Sequence, residues 1–435
     1  MGMRLYIYLF LSFCFFSKST FALSGQFFAN EQGIFEKEYH IAFLLPFCVE
    51  NNTYLFSEDL DSLIMHPDLL KDYDVYKKTQ ISLDFFLGFL SSINNFKNVN
   101  VKISVFDIQE GEISKDILTD ILNQGYLDEV DLVLGPLFTE NFVFFSNIFY
   151  RDKPIVSPFS KKPHIVYNNT NTFQVPTDIM SQLSVFAKQI FNTHQDDNIL
   201  LIKRDTILDT LYNKIIGTED YEMVIDTLVP NDIIYGDIFL NAANNLLLDQ
   251  GDSLSFQEIK VRSSVIDSVY HKLDTLGVPN IIIIPSEDNV FVTDLLSKLH
   301  ACRDSGMVVY GLPVLADFDH MSIYDLMDMK VTFPHNKNFN YSEIDDFIIH
   351  FHNDYNYLPN LKYASIGYEL GVYFLSLLFN YGSIIPFIDY YNPQTVLGTT
   401  YDFQKIRNGG YRNNAISILR YENFEYKNLH MYLKE

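Results

Sequence analysis

The sequence holds no tryptophan, only three cysteines among 435 residues, and 31 basic side chains against 55 acidic ones. Each shortage excludes something. Three cysteines cannot build a disulfide scaffold, and their wide spacing leaves no framework for a structural metal. A formal charge of −24 with no basic stripe repels phosphate backbones, so nucleic acid is not expected as a partner. Glycine fingerprints after a strand, a phosphate loop and a G-x-S-x-G turn are all missing, so no enzyme and no cofactor is expected. Long apolar runs are absent after the first twenty residues. The best candidate, residues 364–379, is short and carries Glu369, so no membrane span is expected.

What is present is a hydrophobic content of 48%, too high for a disordered chain, and a length that calls for two lobes rather than one core. The first residues read as an export address. Arg4 precedes the apolar stretch "LYIYLFLSFCFF" (5–16), and Thr20 and Ala22 have the small-residue spacing of a cleavage site. Residues 1–22 are therefore expected to be a signal peptide and the mature chain periplasmic. A lipid anchor at Cys14 is disfavoured, because Phe13 sits where a lipoprotein signal has a small residue. Cleavage removes Arg4 and Lys18 and leaves Cys48 and Cys302, which read as small hydrophobes rather than as a bridge.

From residue 40 the chain alternates between apolar runs and amphipathic stretches. Strands are expected at 40–47, 101–108, 131–136 and 153–159, and helices at 81–96, 114–124 and 139–149. A second series follows "TFQVPTD" (172–178). Its helices are expected at 179–191, 206–216, 263–276 and 288–302, and its strands at 198–204, 256–261, 280–286 and 307–313. The four isoleucines of "NIIIIPS" need a sheet covered on both faces. Helices at 343–356 and 362–381 and a hairpin around Asn408-Gly409-Gly410 close the chain, and 217–255 reads as an insertion. Alternating strand and helix predicts an α/β fold of doubly wound parallel sheets.

The order of "IAFLLPF", "SLDFFLGF", "VDLVLGPL", "PIVSPFS", "NIIIIPS", "VVYGLP" and "YASIGYELGVYFLSLL" resembles the type I periplasmic binding proteins, in particular the branched-chain amino-acid (leucine-binding) family. The resemblance covers about residues 38–430. It implies two doubly wound lobes joined by hinge strands, with a small ligand held in the cleft between them as they close. It also implies an N-terminal lobe of 38–175 plus 335–395, and a C-terminal lobe of 176–330 plus 396–435.

Open parallel sheets bind ligands outside the carboxyl ends of their strands, where loop amides and helix N-termini face the crevice. Phe47, Leu137, Thr139, Ser157, Ser160, Ser286 and Gly311 lie at such ends and are the candidate ligand-binding residues. Thr139 either caps its helix or opens it, leaving free amides for an anionic group such as a carboxylate. Glu287 and Asp288 are candidates for an ammonium, although carboxylates at a helix start also answer the helix dipole. The pair His350 and His352 falls on opposite helix faces, and "ADFDHM" (316–321) lacks the turn of a calcium loop, so no metal is expected. The run Lys405, Arg407 and Arg412 reads as a solvated turn, with contact to an envelope partner as the alternative.

Two functions stay open. One is a solute-binding protein for an amino acid or related metabolite, feeding an importer through an inner-membrane permease. The other is an envelope interaction or sensory protein on the same fold, with a vestigial or protein-occupied cleft.

Overall fold

The computed structural model describes residues 25–28, 38–56, 75–97, 99–149, 152–167, 169–204, 231–250, 256–261, 267–303, 306–317, 321–337 and 341–430. The signal segment with Cys14, the helix expected at 206–216, and residues 318–320 of the acidic cluster lie outside them.

The first stretch carries β1 (Gly25–Phe28), β2 (Glu38–Leu45), α1 (Lys77–Ile93), β3 (Asn100–Asp107), α2 (Ile113–Asn123), β4 (Leu132–Leu134), α3 (Thr139–Ile148), β5 (Ile155–Ser157) and β6 (Thr172–Gln174). Next come α4 (Ile179–Thr193), β7 (Asn198–Arg204), α5 (Asn231–Gln250), β8 (Phe256–Val261), α6 (Asp267–Tyr270), β9 (Asn280–Ile284), α7 (Asn289–Ala301), β10 (Val308–Gly311), α8 (Ile323–Asp328) and β11 (Thr332–His335). The remainder holds α9 (Tyr341–Tyr355), α10 (Leu361–Tyr381), β12 (Gln394–Val396), β13 (Thr399–Tyr401), β14 (Phe403–Lys405), β15 (Tyr411–Asn413), β16 (Ser417–Glu422) and β17 (Glu425–His430). Where a long helix was expected at 263–276, the described residues form only the short α6. The stretch 217–255, expected to be an insertion, contains α5 over its described part.

The chain divides into two compact units. The first comprises the described residues up to Asp178 and 341–415; the second comprises 179–337 and 416–430. These boundaries shift 176–178 into the first unit and 335–337 into the second, and differ most at the C-terminal end. Residues 396–415 fall in the first unit, because β14 pairs with β15 and β15 adds in parallel to β6. A helix-to-strand tail in sequence is thus the edge of the first sheet in space.

The sheet of the first unit runs β1-β3-β2-β4-β5-β6-β15-β14. Strand periodicity explains how it is covered. Ile41, Phe43 and Leu45 of β2 enter a core with α1 and α10, while Ala42 and Leu44 enter a separate core with α2 and α3. Helices α1 and α10 meet at unusually small residues. A Cβ on Gly88 would overlap the carbonyl oxygen of Ala364, and one on Gly367 would overlap that of Phe85. Helix α10 ends at Gly382, whose φ of +80° places it in the left-handed region and lets its N–H reach Leu378 O at 2.7 Å.

The sheet of the second unit runs β17-β16-β11-β10-β9-β7-β8. Its isoleucine strand β9 lies between β7 and β10 and is buried on both faces: Ile281 and Ile283 pack with α4 and α5, and Ile282 and Ile284 alternate to the other side. Among the described residues, no helix is long and apolar enough to cross a membrane.

Glycine to alanine inside a helix ordinarily adds up to ~1 kcal/mol of stability. Here the new methyl meets backbone, which cannot rotate aside, and overpacking costs about 1–3 kcal/mol. Gly88→Ala and Gly367→Ala should therefore each lower the denaturant midpoint of unfolding; a raised midpoint would show that the crossing is not close-packed.

Candidate strand-end site

Strand order reverses where the chain returns from β3 to pair β4 against the other side of β2. The carboxyl ends of β2 and β4 flank that switch point, where open sheets of this kind present a crevice. At the end of β2, the Phe47 carbonyl accepts from the Thr79 hydroxyl, and Cys48 follows with a φ of +48°. Asp107, at the end of β3, accepts from Cys48 N (3.0 Å), Val49 N (3.1 Å), Gln109 N (3.0 Å) and Gln109 Nε2 (2.8 Å). Burial raises its pKa against the pull of these N–H groups. Burial, with Asp107 nearby, also pushes the Cys48 thiol up to about 12. Cys48 and Cys302, one in each unit, are not joined in a disulfide.

Gly135 ends β4 with a φ of +94°, and a Cβ there would overlap the Leu44 carbonyl oxygen. Only glycine lets the chain turn so close to β2. The turn delivers α3, whose N-cap is Phe138 and whose first residue is Thr139. Thr139 thus opens the helix rather than capping it. The first intrahelical bond is made by Phe142 N to Phe138 O at 3.0 Å, so the amides of 139–141 precede the helical ladder. The Thr139 hydroxyl shares a hydrogen bond with the Ser160 hydroxyl at 2.8 Å. Ser157, at the end of β5, is fully buried, and its hydroxyl has no hydrogen-bond partner. Phe159, between the two serines, packs edge-on against Phe85 and Tyr363.

Cations stand beside this helix start, each already balanced. Lys78 lies over the Phe138 ring, 5.2 Å from its centroid, and pairs with Glu110. That bond, then the one from Tyr76, holds the Glu110 carboxyl below its ordinary range, and Asn51 donates to it as well. Lys115 pairs with Glu140 of α3 at 3.1 Å.

The other candidates fall differently. Leu137 and Phe47 are core side chains, packed with α1. Ser286 and Gly311 belong to the second unit. Ser286 accepts from Asp288 N at 3.1 Å, and a Cβ on Gly311 would overlap the Leu315 side chain. Asp288 caps α7 by accepting from Phe291 N at 2.9 Å and pairs with Arg204, while Glu287 accepts from the Tyr235 hydroxyl at 2.9 Å. Arg204 ends β7, beside the switch point of the second sheet, and lies over the Phe291 ring at 5.8 Å. Its signal in the sequence is a cation that ends an apolar strand. Arg412 is not a solvated turn residue. Its side chain is 13% exposed and lies 3.3 Å from the buried Asp178 carboxylate. Glu369 is buried against the β12–β13 hairpin, accepting from Thr399 (3.0 Å) and Tyr401 (2.6 Å).

The fold is that of the type I periplasmic binding proteins. Structural similarity to substrate-binding proteins of branched-chain amino-acid ABC transporters extends over 90% of the chain. A substrate-binding protein from Desulfitobacterium hafniense, in complex with Leu, is 13% identical, with a TM-score of 0.50, covering 90% of this chain and 100% of that one. A branched-chain amino-acid transporter protein from Rhodospirillum rubrum is 12% identical, with a TM-score of 0.54 over 90% and 99%. The C-domain of LpoA from Haemophilus influenzae, described as a regulator of PBP1A, is 12% identical, with a TM-score of 0.50 over 90% and 100%. No protein-family model and no curated protein matches the sequence.

Removing a hydrogen bond costs about 1 kcal/mol, whereas removing a buried hydroxyl that bonds nothing costs little or stabilises. Thr139→Val should therefore lose about 1 kcal/mol of stability, and Ser157→Ala should be neutral or slightly stabilising in chemical denaturation. A large loss in Ser157→Ala would mean the hydroxyl serves the fold.

Proposed function

We propose that the chain is a periplasmic solute-binding protein, without catalytic activity, whose two units close on an amino acid or related metabolite and deliver it to an importer. The observation that carries this reading is the grouping at the start of α3. Three hydroxyls, Thr139, Ser160 and the partnerless Ser157, lie on adjacent strand ends beside amides that precede a helical ladder. Such a helix start takes an anionic group, and a carboxylate fits it. Ser286 and Gly311 are the contributions proposed from the second unit.

A second reading, an envelope interaction protein, has its own support. The carboxylates at the strand ends that could meet an ammonium, Asp107, Glu110, Glu287 and Asp288, all hold protein donors already. The same fold also serves a protein described as a regulator of PBP1A. In this reading the partner is another protein of the envelope.

A thermal-shift screen of residues 23–435 against amino acids, short peptides, sugars and muropeptides separates the two. A ligand at 100 times its dissociation constant adds about 2.7 kcal/mol, a rise of a few degrees. The first reading expects such a rise for one compound class, lost in Ser160→Ala and Ser157→Leu; a flat response across the library would overturn it for these compounds.

A further inference from the structure

The loop that carries Ser160 is held from beneath by a row of polar side chains on three neighbouring strands. Ser157 of β5 is in register with Gln174 of β6, and Gln174 with Arg412 of β15, both pairings parallel. Registered residues of parallel strands share a face. The preceding residues, Val156, Phe173 and Tyr411, form the apolar row of the opposite face, with the Phe173 and Tyr411 rings stacked at 4.6 Å. The polar row therefore lies on the side of α3 and the 158–163 loop.

Its contacts converge on that loop. Gln174 Nε2 donates to Ser160 O at 3.1 Å and to Lys162 O at 3.3 Å. Arg412 Nη2 donates to Pro163 O at 3.3 Å, and Arg412 Nη1 lies 3.3 Å from Asp178 Oδ2. Asp178 is fully buried and is the last residue of the first unit before the chain crosses into the second. Asn413, which follows Arg412, donates to Val175 O at 3.2 Å and accepts from Ala415 N at 3.1 Å, and Ala415 is where the chain leaves the first unit again. The two crossing segments and the Ser160 loop thus share one bonded network.

We infer that Arg412 and Gln174 are positioning residues that tie the Ser160 loop to the crossing at Asp178, so that backbone movement at the crossing displaces the Ser160 hydroxyl. The inference rests on the solute-binding reading for the importance of Ser160, but the link itself is a property of the unliganded chain. A guanidinium suits the task because its rigid planar fork fixes the directions of its bonds to a carboxylate and a carbonyl, whereas an ammonium is a point charge on a flexible stem. The link is a chain of hydrogen bonds between two named points, so cutting it at either end has a local consequence.

Hydrogen exchange on the ligand-free mature chain tests it, comparing wild type with Arg412→Lys, Arg412→Gln and Asp178→Asn. Exchange in peptides covering 158–167 and 139–142 should rise at least about fivefold in all three, with peptides from β2 unchanged. Asp178→Asn is the decisive variant, since Asp178 lies outside the loop in sequence and pairs with Arg412 at the crossing end of the link. If it leaves 158–167 unchanged, or if β2 accelerates equally in every variant, Arg412 only supports the fold and the link is refuted. If the link holds while the ligand screen is flat, the binding reading fails and the mechanical one stands.

Discussion

The parallel pairing of β4 against β2, on the side away from β3, is the constraint from which the rest of the first unit follows. It creates the switch point, and it brings the turn at Gly135 so close to Leu44 that no side chain fits there. It also sends α3 off with its N-terminus at the crevice side of the sheet. The alternation of β2, with Phe43 toward α1 and Leu44 toward α3, fixes which helices cover which face. A register slip of one residue would exchange the two cores. Position of the hydroxyl cluster is thus a consequence of sheet order rather than of any local motif.

Charge is arranged around this cluster with notable economy. In a chain of formal charge −24, lysines stand beside the α3 start, yet Glu110 and Glu140 neutralise them. Neither lysine is left over to meet an anion, so the proposed attraction comes from the start of the helix itself. Buried polar groups ordinarily find partners, and the Ser157 hydroxyl is one of several among the described residues that do not, with Thr172 Oγ1 and Gln174 Oε1 on the neighbouring strand.

Much of the frame was legible in the sequence because its periods are strong. The run Ile281–Ile284, the amphipathic α4, and the strand ending at Gly135 were all readable from apolar spacing and turn chemistry. Other elements were hidden for identifiable reasons. Strand β11 contains Pro334, which argues against a strand until its pairing with β16 is seen. Helix α5 has asparagines and aspartates scattered along it, and its stretch reads as an insertion. Of the candidate residues, Thr139 and Ser160 are brought together by the fold, while Phe47 and Leu137 prove to be core packing at the same strand ends. Gln174 and Arg412 could not have been found: their partnership exists only once strands 238 residues apart are in register.

The claim on which this account turns is that an anionic group docks on the amides that begin α3. Amide resonances of Thr139, Glu140 and Asn141, followed by NMR while the mature chain is titrated with leucine and with the strongest stabiliser from the screen, test it directly. Docking there shifts these three with the binding isotherm of the ligand that stabilises the protein. Saturable binding that moves other amides and leaves these three in place would contradict it.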